Sequence, residues 1–111
     1  MVVGDDDTAI ALGSGDVPVL GTPRVVALME QAAVSAVSGS LEPGSTTVGT
    51  HIAVDHLAAS FVGAAVEATA EVVGVDGRSV SFRLTAHEGD RLVARGDHAR
   101  FVVNRKKFVE S

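Results

Sequence analysis

The chain contains no cysteine, tryptophan or tyrosine, and its four aromatic residues are all phenylalanine. Without cysteine there is no disulfide framework, no thiolate nucleophile and no cysteine-based metal site, which fits a reducing compartment such as the cytoplasm. Positive charge is also scarce, with 9 basic against 14 acidic residues and a net charge of −5. The basic residues are scattered apart from Arg105-Lys106-Lys107, and aromatic stacking groups are few, so a nucleic-acid-binding surface is not expected. No apolar run reaches the roughly 18 to 20 residues of a membrane span, and Met1–Asp7 is acidic where a signal peptide would be basic. Internal repeats, low-complexity linkers and a G-x-x-x-x-G-K phosphate loop are absent as well. At 111 residues the chain has length for one domain with a single core, spanning residues 1–111. A substantial cleft would therefore need a second subunit.

What is present begins with a helix. Thr22-Pro23 supplies a start, a hydroxyl able to cap free amides followed by a proline suited to the first helical position. The apolar run that follows is stopped near Ser38 by Gly39 and Pro43-Gly44. Between Arg24 and Glu42 the only charged residue is Glu30. A helix apolar almost all round is expected to be buried, and a carboxylate in its middle is costly unless something neutralises or uses it.

The remainder alternates with period two. Val62, Ala64, Val66, Ala68, Ala70 and Val72 are apolar, with Glu67, Thr69 and Glu71 on the opposite face. Val80, Phe82, Leu84 and Ala86 repeat the pattern after the Asp76-Gly77 turn, and Glu88-Gly89-Asp90 turns the chain into a strand from Arg91 to Val103. Ser45–Leu57 is also strand-like, Thr8–Leu12 reads as a short strand, and Gly13–Gly21 reads as an irregular loop. The expected fold is α+β: an antiparallel sheet of about five strands wrapped around one central helix, the hot-dog arrangement. A lone helix covers only one sheet face, and the open sheet edges favour a homodimer.

Three side chains stand out. On Val48, Thr50, Ile52, Val54 and His56 the histidine ends the apolar face of a strand, whereas His51 lies on the other face. Taken singly, His56 reads as a strand-end histidine bonded to a carbonyl, Thr22 as an N-cap, and Glu30 as a hydrogen-bonded buried carboxylate. Together they make a different set. A helix N-terminus with a hydroxyl offers hydrogen bonds and partial positive charge to a carbonyl oxygen, a buried carboxylate can serve as base or nucleophile, and an imidazole can shuttle protons. Acyl transfer to water needs these parts. No metal or other cofactor is expected, because His51 and His56 sit on opposite faces and no His-x-x-x-His set exists.

The chain resembles the hot-dog thioesterases of the fluoroacetyl-CoA thioesterase type. The similarity rests on Gly21-Thr22, on Leu28-Met29-Glu30 with Ala32, on Leu41-Glu42-Pro43-Gly44, on Val48-Gly49-Thr50 leading to His56-Leu57-Ala58-Ala59, and on Gly96-Asp97-His98-Ala99-Arg100. It covers nearly everything after Val17. The resemblance implies Thr22, Glu30 and His56 as catalytic residues, Gly49 as a glycine lining the acyl site and Arg100 as an arginine associated with it. It implies an acyl-CoA thioesterase that hydrolyses a short or small acyl group at a homodimer interface. One departure is that Asp16–Leu20 contains no aromatic residue, where the fluoroacetyl-CoA-specific member has phenylalanines over the acyl group. Taken on the residues alone, Gly49 reads as a strand glycine at a bulge and Arg100 as a solvated strand charge.

Thr22 and Glu30 are eight residues apart, about 12 Å of helical rise. One carbonyl therefore cannot touch both from the same subunit, so Glu30 is expected to serve a site with the other subunit's Thr22. Coenzyme A phosphates would meet basic residues such as Arg24, Arg105 or Lys106. Two other functions remain open on the sequence: a non-catalytic acyl-CoA-binding dimer, and an enoyl-CoA hydratase-type enzyme, for which Asp16 lacks a suitably spaced histidine.

Overall fold

The computed structural model describes residues 1–111. Four long antiparallel strands, β1 (Ser45–His56), β2 (Glu67–Asp76), β3 (Ser79–Glu88) and β4 (Arg91–Asn104), form one sheet in the order β1-β4-β3-β2. The count is four where about five were expected. The missing strand is Thr8–Leu12, which is instead a short helix, α1 (Ala9–Leu12), capped by the Thr8 hydroxyl accepting from the Ala11 amide and closed by left-handed Gly13. Thr8 retains one antiparallel bridge, to Leu20. Likewise Val62–Val66 precedes β2 rather than belonging to it, and its Gly63–Val66 part bonds to the N-terminal Met1–Val3 segment.

The hairpins form where glycine permits a left-handed turn. Gly77, at φ 61°, reverses the chain between β2 and β3, and Gly89, at φ 58°, between β3 and β4. Beyond β4 the chain closes with a short exposed helix, α3 (Arg105–Glu110), whose start is capped by Asn104.

The principal helix, α2 (Thr22–Val37), lies across the sheet, chiefly over β2 and β3. Its buried residues Val25, Met29, Ala33 and Val37 repeat every four positions, so one stripe faces the sheet. They meet Phe82, Leu84, Ala86, Val66 and Val93 in a single core. Burying Phe82, Leu84 and Met29 contributes about 1.5–3 kcal/mol each. The expectation of a helix enclosed on all sides fails within one chain. Val34 is well exposed and the Glu30 side chain is 40 % exposed, so the carboxylate still reaches solvent.

Candidate active site

The strand carrying His56 is not a regular alternation. Pairing of β1 with β4 shifts between Gly49 and His51, leaving Thr50 as the extra residue of a β-bulge whose hydroxyl donates to the Ala99 carbonyl. The bulge reverses the phase of the strand. Thr47 and Gly49 before it, and Ile52, Val54 and His56 after it, face the helix, so Val48 and Thr50 do not share the His56 face as simple alternation predicts. Because of that one residue, a glycine and a histidine seven positions apart both look toward α2.

Thr22 also departs from its expected role. The helix N-cap is Gly21, in extended conformation, and Thr22 is the first helical residue. Its hydroxyl does no capping; Oγ1 lies 2.8 Å from His56 Nδ1. Little of the expected amide nest remains here. Pro23 has no N–H, and the Arg24 and Val25 amides are both taken by the Gly21 carbonyl. The Thr22 amide, which has no intrahelical partner at this position, is the donor left. Gly21 is closely packed: an added Cβ would lie 2.8 Å from Leu12 Cδ1 and 3.2 Å from the Ala9 backbone, so a larger residue would push on both.

Burial holds the His56 imidazole below the ordinary histidine value, the Ala58 backbone offsetting part of the effect. The ring is thereby kept neutral and able to accept a proton near neutral pH. The loop after it is pinned: the Leu57 and Ala58 amides donate to the Val93 carbonyl, and Arg91 donates to the Ala59 carbonyl while pairing with Glu88. A groove of about 310 Å³ opens at the Thr22–His56 pair, with Val17, Val19, Leu57 and Ala58 among its walls.

Glu30 sits in a second cluster. Its Oε2 is 3.7 Å from Arg100 Nη1. Arg100, which the sequence alone would leave in solvent, is 7 % exposed; its Nε donates to Thr47 Oγ1 at 2.8 Å and its Nη2 to the Thr47 carbonyl at 3.0 Å. Gly49 lies between them, since a Cβ there would be 3.2 Å from Glu30 Oε2 and 3.4 Å from Arg100 Nη1. A side chain at position 49 would press on the Glu30 carboxylate and the Arg100 guanidinium, so the bulge and the acyl-site readings of Gly49 are compatible. His98 and Thr47 complete this cluster and were not singled out from the sequence. The available signal was the spacing of Ala94, Gly96, His98 and Arg100 on one face of β4.

Thr22 and His56 therefore come together, as do Glu30, Gly49 and Arg100, but the two groups are separated along α2 by the eight-residue spacing. Of the residues considered for phosphate contact, Arg24 is engaged by Asp7 at 3.2 Å. Arg105 and Lys106 line a separate cleft of about 830 Å³ with Gly44 and Asn104, sharing no residue with the Thr22–His56 groove. No helix is long and apolar enough to cross a membrane.

Comparison with known proteins agrees with this architecture. The family model of the fluoroacetyl-CoA-specific thioesterase FlK matches residues 3–106. The fluoroacetyl-CoA thioesterase of Streptantibioticus cattleyicolor is 43 % identical over 90 residues, covering 81 % of this chain and 65 % of that protein, so the match spans a little under two thirds of the relative's length. A solved structure of the fluoroacetyl-CoA thioesterase FlK superposes with a TM-score of 0.92 at 38 % identity, covering 99 % of this chain and 86 % of the other. A hot-dog-like protein from Thermanaerovibrio acidaminovorans superposes with a TM-score of 0.89 at 26 % identity, over 99 % and 82 % of the two chains. With a four-stranded antiparallel sheet curled over one helix, and a family match running through both residue clusters, the chain is a hot-dog protein of the fluoroacetyl-CoA-specific thioesterase family.

Proposed function

We propose that this protein is an acyl-CoA thioesterase that hydrolyses small acyl groups, working as a homodimer whose two active sites each combine Thr22 and His56 of one subunit with Glu30 of the other. The observation that carries this reading is the 2.8 Å contact between Thr22 and His56 at the start of α2, two helical turns away from the carboxylate that hydrolysis needs. A rise of about 12 Å separates Thr22 from its own Glu30. Two-fold symmetry brings such half-sites together twice, and both edges of the sheet, β1 and β2, are open to a partner.

In this arrangement the thioester enters the groove at Thr22–His56. The free Thr22 amide is the donor for the carbonyl oxygen, and the Thr22 hydroxyl, tied to His56, marks the position of the acyl carbon. Water held by the partner's Glu30 attacks that carbon and gives its proton to the carboxylate. The carbon–sulfur bond then breaks, and the leaving sulfur takes that proton back from Glu30, so that CoA departs as its free thiol and the carboxylate is restored. Gly49 leaves room for the reacting group beside Glu30, and Arg100 keeps positive charge next to the carboxylate. The aliphatic groove walls and its volume of about 310 Å³ support a small acyl group. The relative from Streptantibioticus cattleyicolor is named for fluoroacetyl-CoA, and CoA with fluoroacetate is bound in a structure of a point mutant of that enzyme type. A cysteine-free chain acting on CoA thioesters fits a cytoplasmic setting.

Subunit complementation tests both the chemistry and the dimer. Thr22→Ala and Glu30→Gln homodimers should each release free thiol from an acyl-CoA panel at least about 10²-fold more slowly than the parent. Mixing the two by unfolding and refolding should restore about a quarter of parental activity, because half the dimers are mixed and each has one intact site. A monomeric protein, or mixed dimers no more active than their parents, would sink the shared site. Binding of acyl-CoA with no turnover at any chain length would make it a binding module.

A further inference from the structure

The thioesterase reading leaves one buried titratable side chain without a role. His98 is 2 % exposed, and its ring stacks on Phe82 at 5.8 Å between centroids. We propose that His98 is a positioning residue for the glutamate half-site: its imidazole, fixed between the β1 bulge and Phe82, holds the Arg100 guanidinium where it faces Glu30. This inference rests on the proposed role of Glu30.

The geometry assigns each hydrogen. His98 Nδ1 lies 2.7 Å from the carbonyl of His51, the residue that follows the bulge. A carbonyl only accepts, so Nδ1 carries the proton and, in the neutral ring, Nε2 presents its lone pair. Arg100 Nη1 lies 3.2 Å from Nε2 and donates to it. With Nε on the Thr47 hydroxyl and Nη2 on the Thr47 carbonyl, the guanidinium is held at three nitrogens by neutral acceptors. Its nearest carboxylate is Glu30, 3.7 Å away through the same Nη1 that His98 holds. The lines from Glu30 Oε2, Arg100 Nη1 and His98 Cε1 converge on the open side of Gly49, within 3.2 to 3.4 Å of the point where a Cβ would stand. His98 thus sets how far Arg100 leans toward the carboxylate. Burial alone accounts for the bond from Nδ1 to the His51 carbonyl; the arginine bound at Nε2 is what ties the ring to the Glu30 cluster.

Without the Nε2 acceptor, Nη1 is left buried with a missing partner, and Glu30 becomes the remaining acceptor within reach. The carboxylate is then drawn onto Arg100 and away from water. His98→Phe keeps the shape and the stacking on Phe82 but removes the acceptor. It should lower kcat about 10²-fold, the scale of a misplacement near 1 Å, while changing KM for acyl-CoA by less than about threefold. His98→Gln, which can again donate and accept, should recover at least about tenfold of that loss. In a Glu30→Gln background, His98→Phe should cost less than about threefold more, because the two act as one unit. Additive losses, or equal losses in His98→Phe and His98→Gln, would overturn the inference and leave a structural histidine. Should His98→Phe fail to fold, side-chain 15N spectra of the parent protein decide the matter: a neutral Nδ1–H tautomer supports the proposal and an Nε2–H tautomer rejects it. Glu30→Gln with parental kcat would remove the reading of the site itself, whereas an inactive Glu30→Gln beside a fully active His98→Phe rejects only the role of His98.

Discussion

The start and the middle of α2 are built in opposite ways. At its N-terminus, Thr22 meets His56 through one hydrogen bond, beside a groove open to solvent. Near its middle, Glu30 faces an arginine gripped at three nitrogens within the sheet. The first arrangement can shift as a substrate enters; the second cannot shift without leaving a buried guanidinium under-satisfied, which is costly. The contrast suits a division of labour in which one half-site adapts to the acyl group and the other presents a carboxylate at a fixed place.

The sharpest way to break this contrast is at the bulge, because both halves depend on it. Deleting Thr50 should restore regular pairing of β1 with β4 and turn Thr47 and Gly49 away from the helix. Thiol release should fall to background, with loss of the Arg100 contacts in a crystal structure. A deletion variant with parental activity would mean that the bulge does not set the site.

A smaller effect separates adaptability from rigidity at Thr22. Thr22→Ser should retain activity within about tenfold of the parent, since the hydroxyl remains and the helix start tolerates serine, while Thr22→Ala loses about 10²-fold. Steady-state kinetics on the same acyl-CoA decide this. Equal activity in all three would remove the Thr22–His56 bond from catalysis.

The mildest test is acid. His56 is held below its ordinary value of 6.5 by burial, so the acidic limb of kcat/KM should fall below pH 6.5. The sign for stability follows from the same shift. The native state binds fewer protons at His56 than the unfolded chain does, so its contribution is present above about 6.5 and is lost as pH falls through the lowered native value. An acidic limb above 6.5 would mean that another group titrates, or that His56 gains a charged partner in the dimer.

Much of this arrangement was legible in the residues. The limits of α2, the Asp76-Gly77 and Gly89 turns, and the placement of His56 on the apolar face of β1 follow from local preference and periodicity. Three features were hidden because each depends on a distant partner. Thr50 is a bulge only because β4 supplies one residue where β1 supplies two. Arg100 is buried because Thr47, on the neighbouring strand, accepts from it twice. Thr8–Leu12 is too short for propensity to choose between strand and helix, and its helical turn is selected by the Thr8 cap and by packing against Gly21. With Gly21 at the N-cap, the Thr22 hydroxyl is left to meet His56.

That contact between α1 and Gly21 has a further implication for how such a protein can diversify. The Ala9 backbone acts as a mechanical stop for the helix start, set before the Ser14–Val19 stretch in the chain and independent of its side chains. Substitutions at Val17 or Val19 can therefore recut the wall of the groove while the stop keeps the Thr22 hydroxyl at its address. In the proposed site, acyl preference and reaction centre would then be adjustable on separate screws, with the side-chain-free Gly21 as the point where the helix start rests on Ala9.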